Sequence, residues 1–255
     1  MEQWVRFEYL GNERFGLLRK DHVAIYDGDM FQDPSPTGEF LPLSDVRVLT
    51  PTKPAKLIGL WNNFHHRAQQ EGWERPEHPP YFMKANGSFL ADGGHIQQPP
   101  SYSGPVVFEG ELGIVIGKEC RQVTEEQADR YIFGYTCVND VTARGLMHED
   151  PSFVQWTRAK SFDTFGVIGP VIATGLDAAS LVVKTLVDGV EMQNYPVNDM
   201  FFLPHQIVSR LSHDMTLNPG DVIACGTSLG AGPMHPGCTV EVRIDGIGSL
   251  VNPFQ

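Results

Sequence analysis

Residues 109–118 read EGELGIVIGK, and this stretch predicts a strand with two distinct faces. Glu109 and Glu111 are two residues apart, so both carboxylates project from one face with Cβ atoms about 7 Å apart. The other face carries the apolar side chains Leu112, Ile114 and Ile116. If the two acids are buried, they require a cation or a shared proton. Two glutamates at this spacing, with no further evidence, more often form a solvated acidic face.

A third acid favours the buried, cation-binding interpretation over the solvated one. The segment FGYTCVND predicts another strand, which ends at Asp140 within an otherwise apolar run. Oxygen donors from two strands, with neither sulfur nor an evident imidazole partner, suit a hard divalent cation such as Mg²⁺ or Mn²⁺. We therefore predict that Glu109, Glu111 and Asp140 bind a metal ion.

The rest of the chain predicts an α+β protein dominated by strands. Its 26 Gly and 19 Pro punctuate short apolar segments. Asp188-Gly189 between two alternating runs predicts a hairpin, and Pro204 predicts the start of a helix. Residues 62–72 have the composition of one helix, polar on nearly every face and closed by Gly72.

Two domains are predicted from the 255 residues. Residues 1–50 form a small β-rich N-terminal domain, and residues 55–255 form the main domain. The segment Pro51-Thr52-Lys53-Pro54 is the expected boundary between them.

Composition excludes polyanionic partners. Lys and Arg total 19 against 31 Asp and Glu, for a net charge of −12. Nucleic acids and anionic membranes need clustered cations, so neither is an expected partner. No apolar run approaches the roughly 18 residues of a membrane span, and the N-terminus lacks the pattern of a signal peptide, so we expect a cytoplasmic protein. The four cysteines lack metal-ligand spacing and are expected to be reduced.

Four motifs in this order resemble the fumarylacetoacetate hydrolase family: EGELGIVIGK, YTCVNDVTAR, RAKSFDTFGVIGP and MTLNPGDVIACGTSLGAG. The resemblance runs from about Lys56 to Pro253, and residues 1–50 resemble the small N-terminal domain of many bacterial members. It implies a mixed β-sandwich or roll core, a homodimer, and Mg²⁺ or Mn²⁺ on the carboxylates named above.

The resemblance also implies a small anionic 2-oxo or 2-hydroxy acid as substrate. Family members hydrolyse acylpyruvates, decarboxylate oxaloacetate-like acids or isomerise unsaturated 2-hydroxy and 2-oxo diacids. These reactions share an enolate, whose charge is the main barrier and which a divalent cation stabilises.

Further site residues are implied by position in the motifs. Lys160 matches the family lysine beside the metal, where its charge offsets the carboxylates and can stabilise an enolate or donate a proton. Thr164 corresponds to a threonine near the same site. Arg144 matches a family arginine that can anchor a carboxylate, with a structural ion pair as the equal alternative. The Thr227 hydroxyl and neighbouring backbone N–H groups can cradle a carboxylate.

The chain departs from the family where its hydrolases carry a mobile helix reading Asn-Tyr-x-x-His-x-x-Glu, whose His–Glu pair activates water. Aligned without gaps, Arg67 falls on the histidine and Gln70 on the glutamate; shifted by one residue, the pair becomes His66 and Gln69. Neither alignment restores the pair. His65 and His66 remain candidate general bases, with a plain solvated role as the alternative.

These observations order the functional hypotheses. Metal-dependent C–C hydrolysis of an acylpyruvate-type acid comes narrowly first. Isomerisation, tautomerisation or decarboxylation follows closely, because these reactions need a stabilised enolate but no water-activating pair. A non-catalytic protein that binds a metal–oxoacid complex is the third hypothesis. Met147 replaces a glutamine of several members and indicates a less polar substrate tail.

Overall fold

A computed structural model describes residues 1–255 and confirms the predicted β-dominated α+β class. The N-terminal strands β1–β5 are Glu2–Tyr9, Asn12–Arg19, His22–Asp27, Ser35–Pro42 and Arg47–Val48. Strands β6–β12 are Leu57–Leu60, Tyr81–Lys84, Phe89–Leu90, Val107–Phe108, Gly110–Ile116, Ile132–Asp140 and Gly166–Thr174. Strands β13–β18 are Val182–Val187, Val190–Pro196, Val222–Ala224, Gly232–Pro233, Thr239–Ile244 and Gly248–Pro253.

Helices are few and short. The α-helices α1–α4 are His65–Glu71, Glu125–Ala128, Trp156–Lys160 and Pro204–Asp214. Six 3₁₀ turns complete the list: Leu43–Asp45, Asn86–Ser88, Asp129–Tyr131, Arg144–Leu146, Ala178–Ser180 and Val197–Asp199. None of the helices combines the length and the apolar character needed to cross a membrane.

A large mixed sheet forms the centre of the molecule, with the order β4-β3-β2-β1-β12-β11-β10-β15-β6-β7. The neighbouring pairs β10–β11 and β11–β12 are antiparallel, whereas β15 and β6 are parallel. A second sheet, β14-β13-β17-β18, packs on β10–β12. All seven residues of β10 are buried.

The two sheets approach closely at Gly110, between the two glutamates of the opening motif. A Cβ atom at this position would lie 1.9 Å from Oγ1 of Thr185 in the second sheet. The Gly110 N–H also donates to Oε1 of Gln193 at 3.0 Å. Only glycine permits this close approach of the two sheets, and the carboxylates on either side of it project from the opposite face of the strand.

The N-terminal strands continue the central sheet. Strand β1 pairs antiparallel with β12, so that Glu2 lies opposite Thr174. Trp4 and Leu17 share a buried apolar cluster with Leu57 and Val115 of the rest of the chain. The division into domains 1–50 and 55–255 stays a prediction, and any such boundary would cross this shared core and sheet.

Local patterns placed several elements correctly. Asp188 and Gly189 both adopt positive φ, 50° and 80°, and connect β13 to β14 as a tight hairpin. Pro204 begins α4, whose Ile207 is fully buried. Gly72 ends α1 in the left-handed conformation at φ 71°. All four cysteines are free and buried.

Asp221 provides a structural prediction away from the cleft. Its buried carboxylate lies 2.6 Å from Nζ of Lys56 and accepts the backbone N–H groups of Lys56 and Asn218 at 2.9 and 2.7 Å. Asp221→Asn would remove the charge and turn an amide NH₂ toward one of those N–H donors. We expect a loss of about 3 kcal/mol of unfolding free energy in urea titration, because one partner of a buried pair is removed. Asp33→Ala, at an exposed position, should change stability by less than about 0.5 kcal/mol; an equal loss in both variants would contradict the role of Asp221.

Candidate active site

Three carboxylates meet at the end of β10 and β11. Oxygen atoms of Glu109, Glu111 and Asp140 all lie within 4.8 Å of one another. The strand pairing places them, because Gly110 lies opposite Asn139 and the Asp140 N–H donates to the carbonyl of Glu109 at 2.9 Å. Glu111 and Asp140 are each 1% exposed. The predicted trio is therefore assembled in the fold, largely out of contact with water.

Two buried lysines compensate this negative charge. Nζ of Lys160, at the end of α3, lies 2.5 Å from both Glu109 Oε2 and Asp140 Oδ2. Nζ of Lys84, at the end of β7, binds the other oxygen of Asp140 and donates to the carbonyl of Val141 at 3.1 Å. Asp140 is thus held between two ammonium groups.

Titration of the site reflects its burial and the neighbouring charges. Burial, reinforced by Asp140 and Glu109, holds the pKa of Glu111 well above its usual range. Burial alone would raise the pKa of Asp140, but Lys160 and Lys84 together lower it. For Lys160, burial opposes the charged form and the two carboxylates outweigh it, so its pKa is raised. Burial lowers the pKa of Lys84 to about 8 despite Asp140.

Glu111 is oriented by the glycine-rich segment after β15. The Gly226 N–H donates to its Oε2 at 2.8 Å. Gly226 has φ 87°, and a Cβ there would lie 3.2 Å from the carbonyl oxygen of Leu60. A glycine at 226 therefore permits the backbone conformation that binds Glu111.

The trio lies in a cleft of about 340 Å³. Glu109, Glu111 and Lys160 are among its lining residues, and Thr142 donates to Glu109 Oε2 at 3.1 Å. The walls are aromatic or apolar: Leu60, Trp61, Trp73, Phe82, Met147, Val154 and Trp156. Such a cleft can exclude water around a small acid while its charged floor orients the acid's head.

Two of the predicted substrate-binding residues also line this cleft. Arg144 forms no ion pair or hydrogen bond through its guanidinium, so the structure does not show the alternative structural pair. The Thr227 hydroxyl donates to the Gly110 carbonyl at 2.9 Å and accepts from Gln193 Nε2 at 2.8 Å. Its single proton is engaged within the protein, so this arrangement does not support the predicted donation to a substrate carboxylate.

Three other predicted residues lie outside the residues that line the cleft. The exposed His65 packs its ring against Phe201, 4.2 Å between centres, and His66 Nδ1 lies 3.4 Å from Asp199 Oδ2. Thr164, at φ 70°, accepts the Gln97 N–H at 2.9 Å. Because neither histidine lines the cleft, their positions do not support the predicted role of general base.

Arg67, from the same helix, lines the cleft, whereas His65 and His66 do not. Its guanidinium donates to the Thr227 carbonyl at 3.3 Å, lies 3.9 Å from Glu109 Oε1 and contacts the ring of Trp73. The ungapped alignment had already placed Arg67 on the family histidine, which was the available signal for its position.

Sequence reasoning missed two further residues of the site. Lys84 is in phase with the buried Phe82 along β7, and a lysine on the apolar face of a strand was the signal for a buried charge. His148 lines the cleft from the segment after the Arg144–Leu146 turn. No local pattern identified it, because irregular segments have no periodicity from which to predict direction.

The residues fit a hard divalent cation. Three carboxylates with no sulfur ligand are the donor set that Mg²⁺ and Mn²⁺ prefer. Lys160 already places a positive charge between Glu109 and Asp140, which shows that the floor accommodates a cation. Burial, together with the negative charges of Asp140 and Glu109, raises the pKa of Glu111, and a cation bound at the floor would favour its ionised form.

Solved structures with the same fold include enzymes of small organic acids. The whole chain matches the 2-hydroxyhepta-2,4-diene-1,7-dioate isomerase from Mycobacterium marinum with a TM-score of 0.91, 36% identity and 98% coverage of that chain. A maleylpyruvate hydrolase from Sphingobium sp. SYK-6, in complex with manganese(II) and pyruvate, matches the whole chain with a TM-score of 0.80, 25% identity and 98% coverage of its own chain.

Sequence comparison identifies the family. Residues 56–255 match the fumarylacetoacetate (FAA) hydrolase C-terminal model, and residues 2–51 match the Rv2993c-like N-terminal model. Oxaloacetate tautomerase YisK of Bacillus subtilis is 34% identical over 224 residues, which cover 82% of this chain and 73% of that protein. The chain belongs to the fumarylacetoacetate hydrolase family, and the resemblance of its motifs is confirmed.

Proposed function

We propose that the protein is a divalent-metal-dependent isomerase or tautomerase of a small 2-oxo or 2-hydroxy acid, acting through an enolate. The observation that carries the proposal is the pairing of Lys160 with Glu109 and Asp140 at the floor of the cleft. Arg67 lines that cleft near Glu109, whereas neither His65 nor His66 does. This departs from the order expected from the sequence, in which hydrolysis came narrowly first.

In this proposal Glu109, Glu111 and Asp140 would hold Mg²⁺ or Mn²⁺, which would supply positive charge that stabilises the developing enolate. Lys160 adds a second charge at the same oxygen and keeps the floor close to neutral when the anionic substrate enters. Arg144, which has no internal partner, binds a substrate carboxylate through two parallel hydrogen bonds. Lys84 pairs with the second carboxylate oxygen of Asp140 and fixes the orientation of that carboxylate.

Proton transfer requires a group that can both accept and donate near neutral pH. His148 is the imidazole that lines the cleft, so we assign it the transfer between the substrate carbon and solvent. The imidazole would take the proton from carbon and leave an enolate. Protonation of the enolate oxygen by solvent would complete a tautomerisation, and return of the proton from the imidazolium to the far carbon of the conjugated system would complete an isomerisation; neither route needs an attacking water.

C–C hydrolysis of an acylpyruvate is the second candidate function. His148 favours it, because the same imidazole can accept a proton from water and the maleylpyruvate hydrolase from Sphingobium sp. SYK-6 has this fold. Arg67 counts against it, since a guanidinium does not accept a proton. The implied homodimer also stays a prediction, which sedimentation equilibrium would test.

Proton NMR in D₂O tests the proposal. With Mg²⁺ and oxaloacetate, we expect exchange of the C3 protons to be much faster than pyruvate release from an acylpyruvate under the same conditions. His148→Asn should slow this exchange about 10²-fold or more, as for loss of a general acid–base group, whereas His66→Asn should leave it nearly unchanged. Faster acylpyruvate cleavage would favour the hydrolase, and Mg²⁺-dependent binding of the acid without either reaction would favour the non-catalytic hypothesis.

A further inference from the structure

Four aromatic side chains form a continuous wall along the cleft. The ring centres of Trp73 and Trp61 are 4.7 Å apart, and those of Trp61 and Trp156 are 6.3 Å apart. Trp156 in turn stacks on Phe82 at 5.2 Å with an interplanar angle of 16°. Trp61 directly follows β6, Phe82 lies on β7, Trp156 begins α3 and Trp73 lies in the segment after α1. We call these four side chains the aromatic wall.

The wall begins at the floor of the site. Nζ of Lys160 lies 4.7 Å from the centre of the Phe82 ring, so an acid whose head lies at Lys160 extends along the rings. The sequence has four tryptophans, and three of them belong to this wall. Those three are only half-buried, in contrast to Trp4 in the core, and keep surface open to the cleft.

The other residues that line the cleft indicate which substrate side chain would fit against the aromatic wall. Met147 and Val154 add apolar surface, and the volume of about 340 Å³ is at the small end for ligand sites. Arg67 is already engaged by Thr227 and by the Trp73 ring. The cleft therefore offers a planar, apolar surface of a size that suits one ring.

We propose that the natural substrate is a 2-oxo acid with an aryl tail, whose ring stacks on Trp61 and Trp73 while its oxoacid head lies at the carboxylate floor. This inference rests on the proposed function for the head group and adds the chemistry of the tail. Stacking and edge contacts with the wall add to the affinity that burial of the ring provides.

Calorimetric titration of the Mn²⁺-loaded protein tests the tail independently of turnover. Phenylpyruvate and 2-oxobutyrate share the same head and differ in the ring. We expect phenylpyruvate to bind at least about tenfold more tightly, from burial of the ring. Trp61→Leu and Trp73→Leu should each reduce that preference about fivefold and leave the Kd of 2-oxobutyrate within about twofold.

Phe40→Leu is the matched control, because it removes an exposed aromatic ring outside the cleft and should leave the preference unchanged. Equal affinity for the two probes, or equal weakening of both in the tryptophan variants, would overturn the aryl assignment while the oxoacid function stands. Failure of both probes to bind a Mn²⁺-loaded protein would overturn the aryl assignment and the proposed function together.

Discussion

Asp140→Asn is expected to lower metal-dependent turnover by about 10³-fold or more and to abolish the rise in Tm that Mn²⁺ produces in the unmodified protein. The charge of Asp140 pairs with both buried lysines, and the proposal makes Asp140 one of the three metal ligands. Loss of a metal site removes several kcal/mol of transition-state stabilisation, which corresponds to this decrease in rate. Differential scanning calorimetry with and without Mn²⁺, together with the rate of C3-proton exchange under Mg²⁺, measures both effects.

Asp221→Asn is the control that separates loss of metal binding from loss of stability. Both variants remove a buried carboxylate charge and should lower the unfolding free energy by about 3 kcal/mol. Only Asp140→Asn should lose the Mn²⁺-induced shift, because Asp221 lies outside the cleft. An undiminished Mn²⁺ shift in Asp140→Asn would remove this residue from the ligand set.

Lys160→Met is expected to lower turnover by about 10²- to 10³-fold and yet to increase the stabilisation by Mn²⁺. The first effect follows from loss of a positive charge beside the developing enolate. The second follows because Lys160 and a metal ion compete for the charge of Glu109 and Asp140. Without the ammonium group, the metal-free protein has uncompensated buried charge, so it is less stable and gains more from the added cation.

Lys56→Met provides the control, since Lys56 forms its own short ion pair with Asp221 away from the cleft. It should lower stability without changing turnover or the size of the Mn²⁺ shift. Thermal scans of both variants over a Mn²⁺ concentration series separate the two cases. A smaller Mn²⁺ shift in Lys160→Met than in the unmodified protein would contradict the competition and imply that the lysine helps to form the cation site.

The part of the site that could be predicted from the sequence lies on regular strands. The alternating pattern of residues 109–118 placed Glu111 on a strand with Glu109 two residues before it, and the next strand pattern placed Asp140 at its end, because a strand has a period of two and its side-chain directions follow from spacing. In the structure Glu111 lies on β10, Glu109 directly precedes that strand, and Asp140 ends β11. The hairpin at Asp188-Gly189 and the start of α4 at Pro204 were predictable for similar reasons, since turn and helix-start chemistry is local.

Other features depend on long-range packing that one sequence does not reveal. The 62–72 segment is polar on every face, so its composition did not indicate whether His66 or Arg67 would face the cleft. The answer came from contacts with distant residues, namely Asp199 for His66 and Thr227 for Arg67. The pairing of β1 with β12 is equally non-local, and strand composition does not specify which strand becomes a neighbour.

Electron paramagnetic resonance of Mn²⁺ titrated into the protein tests the central claim most directly, because it reports the ion and the oxoacid at the carboxylate floor without requiring turnover. We predict one bound Mn²⁺ per chain, whose spectrum changes when oxalate, a dicarboxylate that chelates metals as a 2-oxo acid does, is added, and whose binding is lost in Glu111→Gln. Mn²⁺ that remains free in solution, or that binds equally well to Glu111→Gln, would contradict the account.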